Sequence, residues 1–254
     1  MTRLLDRVYA DYLMPSRLRE YEALLVTAKD AGYAQMSIRS FYRGTRAKRV
    51  LIHRHDIDSD LRTARKMFDL ECRHQVRASY YFRLRTLDIG FMRDIEAAGS
   101  EASYHYEEIA DFVKQRRVRD PVEVRRHFPA LRDQFAMNVA RITKALGRPL
   151  ATVASHGDFA NRKLNIINHE LLADPALRRR CGIECETYDE ALLSQFDMYI
   201  SDRKYPVYYK PMSPFAALGQ HRRICLLTHP VQWETNWFDS TRCNLHRLCE
   251  AIRW

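Results

Sequence analysis

Long apolar runs are absent from this chain. No stretch of its 254 residues approaches the roughly 18–20 consecutive apolar residues that a membrane span needs. The segment MTRLLDRVYADYLMPSR at the amino terminus is too charged to hold the apolar centre of a signal peptide, so a cytoplasmic protein is expected. Glycine and proline are scarce, at 8 and 9 residues, which argues against a loop-rich β-sandwich. The 6 cysteines form no Cys-x-x-Cys pair. Their nearest approach is Cys181-x-x-x-Cys185, and free thiols, mostly buried, are expected. Internal repeats, linkers and low-complexity stretches are also missing. The chain therefore reads as a single domain over 1–254, with a core of about 48–235 and an amino-terminal extension, 1–45.

Hydrophobic residues make up 46% and charged residues 29%, values that exclude disorder and collagen-like structure. Lys and Arg number 42 against 32 Asp and Glu, for a formal charge of +10. The dense basic runs are Lys114–Arg119, Arg125-Arg126 and Arg178–Arg180. All fall in segments that read as helical, where a solvated face is the ordinary outcome. Their functional counterpart is attraction to an anion: nucleic acid, an anionic membrane surface, or a phosphorylated or acidic sugar. No nucleic-acid motif accompanies them and no aromatics are interleaved with them, so nucleic acid is not the expected partner.

Hydrophobic periodicity alternates strand and helix along the chain. Helical spacing covers 15–31, 59–74, 87–98, 107–117, 120–146, 162–180 and 239–252, with breaks expected at Pro129 and Pro175. Short strand-like runs fall at 50–52, 78–82, 102–104, 150–154, 183–185, 198–200 and 224–227. This order implies an α/β fold with a parallel sheet, and about seven strands in 254 residues favour a (β/α) barrel.

Four of these strands run directly into histidine or histidine–aspartate clusters. They are Val50–Asp58, Ala102–Glu107, Thr152–Asp158 and Ile224–Pro230. In a parallel α/β architecture the carboxyl ends of the strands converge on one face, where active sites are built. Asp56, Asp58, His105, His156 and His229 are thus expected to share a pocket. Asp58, His105 and His156 supply one carboxylate and two imidazoles, the donor set of a catalytic zinc with an open position. Asp56 lies two residues from Asp58, on the same side of an extended strand, and can take a proton from water. His229 can protonate a leaving group. The bland alternative is that Asp58 or Ser59 only caps the following helix and that each histidine is an ordinary hydrogen-bonded residue.

The same residues resemble those of the NodB-like polysaccharide deacetylases, carbohydrate esterase family 4, from about Val50 to Trp233. Val50–Asp58 followed by Val76–Phe82 resembles the family's first motif and the strand after it, in the Asp-x-Asp form. Glu101–His105 resembles the second motif, Ser155-His156-Gly157 the third and Leu226–Pro230 the last. The resemblance implies a distorted (β/α)7 barrel with an extra amino-terminal helical segment. It implies Asp56 as base, Asp58 and His105 as metal ligands, and His229 as general acid. The family's second ligand histidine, four residues after the first, is replaced by Ile109. His156 is taken as the third ligand, with Glu107 and His55 as fallbacks. The third-motif arginine that orients the base is also missing, and Arg54 or Arg162 would substitute for it. Trp233 completes the supporting candidates.

The expected activity is removal of an N-acetyl group from a sugar during bacterial surface-polysaccharide assembly of the O-antigen type. It would depend on a divalent metal, zinc first. The expected partner is an N-acetylated, anionic, nucleotide-linked or lipid-linked sugar, and an oligomer is compatible with the sequence. Two alternatives stand beside this: a degenerate carbohydrate-binding scaffold on the same barrel, and an amidase or deformylase acting on a small amide. The His55-Asp56 pair also resembles a phosphohydrolase signature, but it follows an apolar strand rather than lying on a helix.

Overall fold

The computed structural model describes residues 2–253 and arranges them as one mostly parallel sheet with covering helices. The strands are β1 (Ala34–Met36), β2 (Val50–Ile57), β3 (Ser79–Phe82), β4 (Glu101–Tyr106), β5 (Thr152–Ser155), β6 (Cys185–Glu186), β7 (Met198–Asp202), β8 (Tyr209–Lys210) and β9 (Arg223–Thr228). Their hydrogen-bonded order is β6-β5-β4-β3-β2-β9-β7-β8, and only β8 runs antiparallel to its neighbour. One edge of β2 is shared: β1 pairs Val50–Ile52, and β3 pairs Arg54–Ile57. The opposite edge carries β9 from Val50 to His55.

The sheet curls into a half-barrel. Ile52, Tyr81, Ala154, Cys185 and Cys225, from five different strands, pack into one cluster on its concave side. The ends of the ladder, β6 and β8, have only two residues each and offer few hydrogen bonds to a further strand.

Alternation along β2 separates two environments. Ile52, Arg54 and Asp56 face the concave side, whereas Leu51, His53, His55 and Ile57 face the helices outside. All eight residues of β2 are buried, because both faces of the strand are covered. Helices Leu18–Asp30 and Leu61–His74 pack on the convex face through Leu24, Ala28 and Met67.

The amino-terminal extension is part of this fold. It supplies β1 and the short helix Ile38–Tyr42, whose Ile38 and Phe41 fill the amino-terminal end of the half-barrel against Val50. Arg39 pins this plug through two hydrogen bonds to Glu96, of 2.9 and 3.0 Å, and its backbone N–H donates to Glu101.

The expected helix over 120–146 is two helices, Pro121–Arg126 and Phe128–Leu146, that meet at His127. Pro129 sits in the first turn of the second, where a proline costs no internal hydrogen bond. The expected helix over 162–180 is three short pieces, the last starting at Pro175. The strand expected at 183–185 is shifted to Cys185–Glu186. Among the described residues no helix is long and apolar enough to cross a membrane.

Candidate metal centre

Strand register brings the site residues to one level. Asp56 pairs with Tyr81, Tyr106 with Ser155, and His55 with Thr228. Asp58, Arg83, Glu107, His156 and His229 therefore all emerge just past the carboxyl ends of their strands. His105 and Asp56 lie one layer deeper.

Asp58, His105 and His156 come together. His156 Nδ1 is 3.0 Å and His105 Nε2 3.4 Å from Asp58 Oδ1, and the two imidazole nitrogens are 3.2 Å apart. Ligands about 2.0–2.1 Å from a tetrahedral zinc lie about 3.3–3.4 Å from one another, so this triangle has nearly the edges such an ion requires. Asp58 Oδ1 is shielded from solvent, yet no well-directed hydrogen bond reaches it. A shielded carboxylate oxygen facing two imidazole nitrogens, without a proton aimed at it, fits a cation. His105 Nδ1 lies 3.0 Å from the Ala154 carbonyl. That contact assigns the ring proton to Nδ1 and leaves Nε2 as a lone-pair donor toward the triangle. His156 is held from behind: its N–H donates to Tyr106 O at 2.8 Å, and its carbonyl accepts from Asn168 Nδ2 at 2.5 Å.

The helix after Asp58 is capped by neither Asp58 nor Ser59. Asp60 does so, accepting from Thr63 N at 3.1 Å and Thr63 Oγ1 at 2.7 Å. Asp60 adopts φ +57°, a left-handed conformation that a short polar side chain tolerates. This turn leaves Asp58 free to face the histidines. Burial opposes the charged form of Asp58, but the adjoining His156 and His105 outweigh it and hold its pKa well below the usual carboxylate range. Burial lowers the pKa of His156, favouring the neutral ring that a ligand needs.

Asp56 is buried and gripped by Arg54 through two parallel hydrogen bonds, Nε to Oδ1 at 2.9 Å and Nη2 to Oδ2 at 2.8 Å. Burial would raise its pKa, but the Arg54 charge prevails and lowers it. Arg54 is itself fully buried. Its guanidinium lies 4.6 Å over the Tyr188 ring and donates to Tyr199 Oη at 3.2 Å and Tyr188 Oη at 3.3 Å. Arg54 is thus the arginine in contact with Asp56. Arg162 is exposed on helix Phe159–Leu164.

His229 is set by Asp202, a residue that the sequence reading passed over. Nδ1 of His229 lies 2.7 Å from Asp202 Oδ1, and the His229 backbone N–H donates to Oδ2 at 2.7 Å. Trp233 Nε1 adds a third hydrogen bond, to Asp202 Oδ2 at 3.0 Å. Burial disfavours the imidazolium, yet the Asp202 charge and hydrogen bond, with help from Asp58 and Asp56, raise the His229 pKa to about 9. The sequence signal for Asp202 is its place at the carboxyl end of an apolar strand, β7, as Asp56 and His105 stand next to last in β2 and β4.

The two fallback ligands point elsewhere. His55 faces the convex side, where Nε2 meets Glu71 Oε1 at 2.7 Å and Nδ1 meets Thr228 Oγ1 at 2.5 Å. Tyr21 and Tyr80 each donate to Glu71 at 2.5 Å and close that network. The single-residue step from His55 to Asp56 reverses the face, so the two never share a pocket. Glu107 is taken by Arg83, whose Nε donates to Oε1 at 2.6 Å and whose Nη2 bonds Oε2. Glu107 still adjoins the centre, since its carboxylate, His156 and Asp158 place ligand atoms within 4.8 Å of one another. Asp158 itself caps helix Phe159–Leu164 through Ala160 N at 2.9 Å. Ile109 is fully buried among Val113, Phe128 and Ala160, so helix Glu108–Arg116 offers the centre no ligand at that position.

No protein-family model matches the chain, and no curated protein matches it.

Proposed function

We propose that this chain is a metal-dependent amide hydrolase of the NodB-like deacetylase kind, removing an N-acetyl group from a cytoplasmic, nucleotide-linked or lipid-linked sugar in bacterial surface-polysaccharide assembly. The observation that carries this reading is the Asp58–His105–His156 triangle, with edges of 3.0–3.4 Å, flanked by an ionised Asp56. Asp58, His105 and His156 would hold a divalent ion, for which a carboxylate and two imidazoles favour zinc, and that ion would supply Lewis-acid chemistry for amide hydrolysis. Asp56 is held ionised on the same concave wall and accepts the hydrogen bond of the attacking water, with Arg54 fixing its direction. His229, kept charged by Asp202, donates its proton to the departing nitrogen, which leaves as an amine. The hydrolysis consumes one water and releases acetate. The curled, mostly parallel half-barrel sheet, with β6 and β8 at its ends, is an α/β architecture compatible with this reading.

One observation favours the second reading, a sugar-binding protein without turnover: both Asp56 oxygens are already engaged by Arg54, which weakens Asp56 as a base. The test is metal content by mass spectrometry, with acetate release from a panel of N-acetylated sugars, for wild type, Asp58→Ala and His156→Ala. Near-stoichiometric metal lost in both variants, together with acetate release lost in Asp58→Ala, is expected. Metal absent from folded wild type after resupply would overturn the hydrolase reading. Metal retained without acetate release would favour the binding protein.

A further inference from the structure

Beside the triangle lies a cavity of about 330 Å³. It is walled by the segment after β3, by helix Glu108–Arg116 with the residues that follow it, and by helix Trp237–Arg253. Two contacts tie it to the centre. Its wall residue Glu107 is within 4.8 Å of His156, and Arg85 Nη2 donates to the Asp58 backbone carbonyl at 3.1 Å.

The charge lining this cavity does not cancel. Five cations reach it: Arg83, Arg85, Lys114, Arg117 and Arg119. Three carboxylates oppose them. Glu107 is consumed by Arg83. Glu250 lies 2.8 Å and Asp111 3.8 Å from Lys114, which also meets Asp158 at 2.9 Å. Among the described residues, Arg85, Arg117 and Arg119 have no carboxylate partner. Arg117 stands at φ +55°, at the end of helix Glu108–Arg116, where glycine or asparagine is the usual occupant. Guanidinium forks lining a concavity suit the paired oxygens of a phosphate.

We propose that this cavity is an anion subsite, with Arg85, Arg117 and Arg119 holding a phosphate or diphosphate. Resting on the deacetylase reading, it seats the diphosphate of the sugar whose acetamido group reaches Asp58, His105 and His156. The solvated-surface alternative leaves all three arginines free of any bound anion.

The test is calorimetric binding of inorganic pyrophosphate to chelator-treated protein at about 50 mM salt, where screening of exposed charges is modest. Asp58→Ala serves as a control that removes attraction to any residual metal. Binding is expected in wild type and Asp58→Ala alike, and at least tenfold weaker in the Arg117→Ala/Arg119→Ala double variant. Both arginines are exposed, so the double variant is expected to retain the fold. No binding to wild type, or equal binding to the double variant, overturns the subsite.

A second arm compares acetate release from a free N-acetylhexosamine, its nucleoside-diphosphate derivative and its polyprenyl-diphosphate derivative. The subsite predicts at least tenfold higher kcat/KM for one diphosphate form, and loss of that advantage in the double variant. Whichever diphosphate is preferred identifies the source. Equal rates from all three overturn the proposed role in substrate recognition. Pyrophosphate binding without acetate release from any sugar is instead the failure of the deacetylase reading, and leaves the anion site standing.

Discussion

Replacing Asp202 by Asn should remove the charge that keeps His229 protonated. In the native protein His229 Nδ1 is 2.7 Å from Asp202 Oδ1, and the pair is shielded from water: the imidazole is 20% exposed and the carboxylate 0%. The histidine pKa rises from an ordinary 6.5 to about 9. At roughly 1.4 kcal/mol per pH unit, that gap corresponds to about 3 kcal/mol of linked folding stability. The sign follows from the direction. A group whose pKa is raised by folding contributes fully below its unfolded value and loses the contribution as pH climbs through the folded one. Wild type should therefore lose about 3 kcal/mol from this pair between pH 6.5 and pH 9. Asp202→Asn should be destabilised by about that amount at pH 6 and little at pH 9.5, because burial then acts alone and favours the neutral ring. Urea unfolding of chelator-treated protein at several pH values measures it, with NMR titration of the His229 ring as an independent readout. An Asp202→Asn protein whose pH slope equals that of wild type, or a wild-type His229 that titrates near 6.5, would refute the reasoning.

Other outcomes follow from the same geometry. Asp56→Ala should keep near-stoichiometric metal while acetate release falls ~10²–10⁴-fold, the usual contribution of a positioned acid–base group. Equal loss of metal would instead place Asp56 among the ligands. Glu71→Ala removes the acceptor shared by His55, Tyr21 and Tyr80 in a fully buried network, and should cost about 3–5 kcal/mol by urea unfolding, while the folded fraction still binds metal. Stripping metal with a chelator should lower the thermal midpoint of wild type and leave that of Asp58→Ala unchanged, since an ion that binds only the folded state stabilises it by mass action. A midpoint indifferent to added zinc would count against the site.

Much of this molecule was legible in the linear pattern. Apolar runs ending in Asp or His marked β2, β4, β5 and β9, and their parallel order brought Asp58, His105 and His156 within 3.0–3.4 Å of one another. The elements without a sequence signal are those too short to carry a period: β1 with three residues, β8 with two, and the Ile38–Tyr42 plug, while the two-residue β6 is displaced from its expected place. Such segments are stabilised by what they pack against, not by their own propensity, so nothing local announces them.

Periodicity and chain direction are local properties, so the strand–helix alternation, and with it the convergence of donors at the carboxyl end of one sheet, is written in the linear chain. Tertiary structure alone decided which donors meet. His55 and Asp56 are adjacent in the chain, yet alternation sends one to Glu71 on the convex face and the other to Arg54 on the concave one. Asp202 and His229 lie 27 residues apart and become a charged pair only because β7 and β9 are neighbours in the sheet. Whether Glu107 could serve as a ligand depended on Arg83, 24 residues earlier, whose guanidinium claims both of its oxygens. Charge pairing acts over a few ångströms of space regardless of separation along the chain, and only the folded sheet sets those distances.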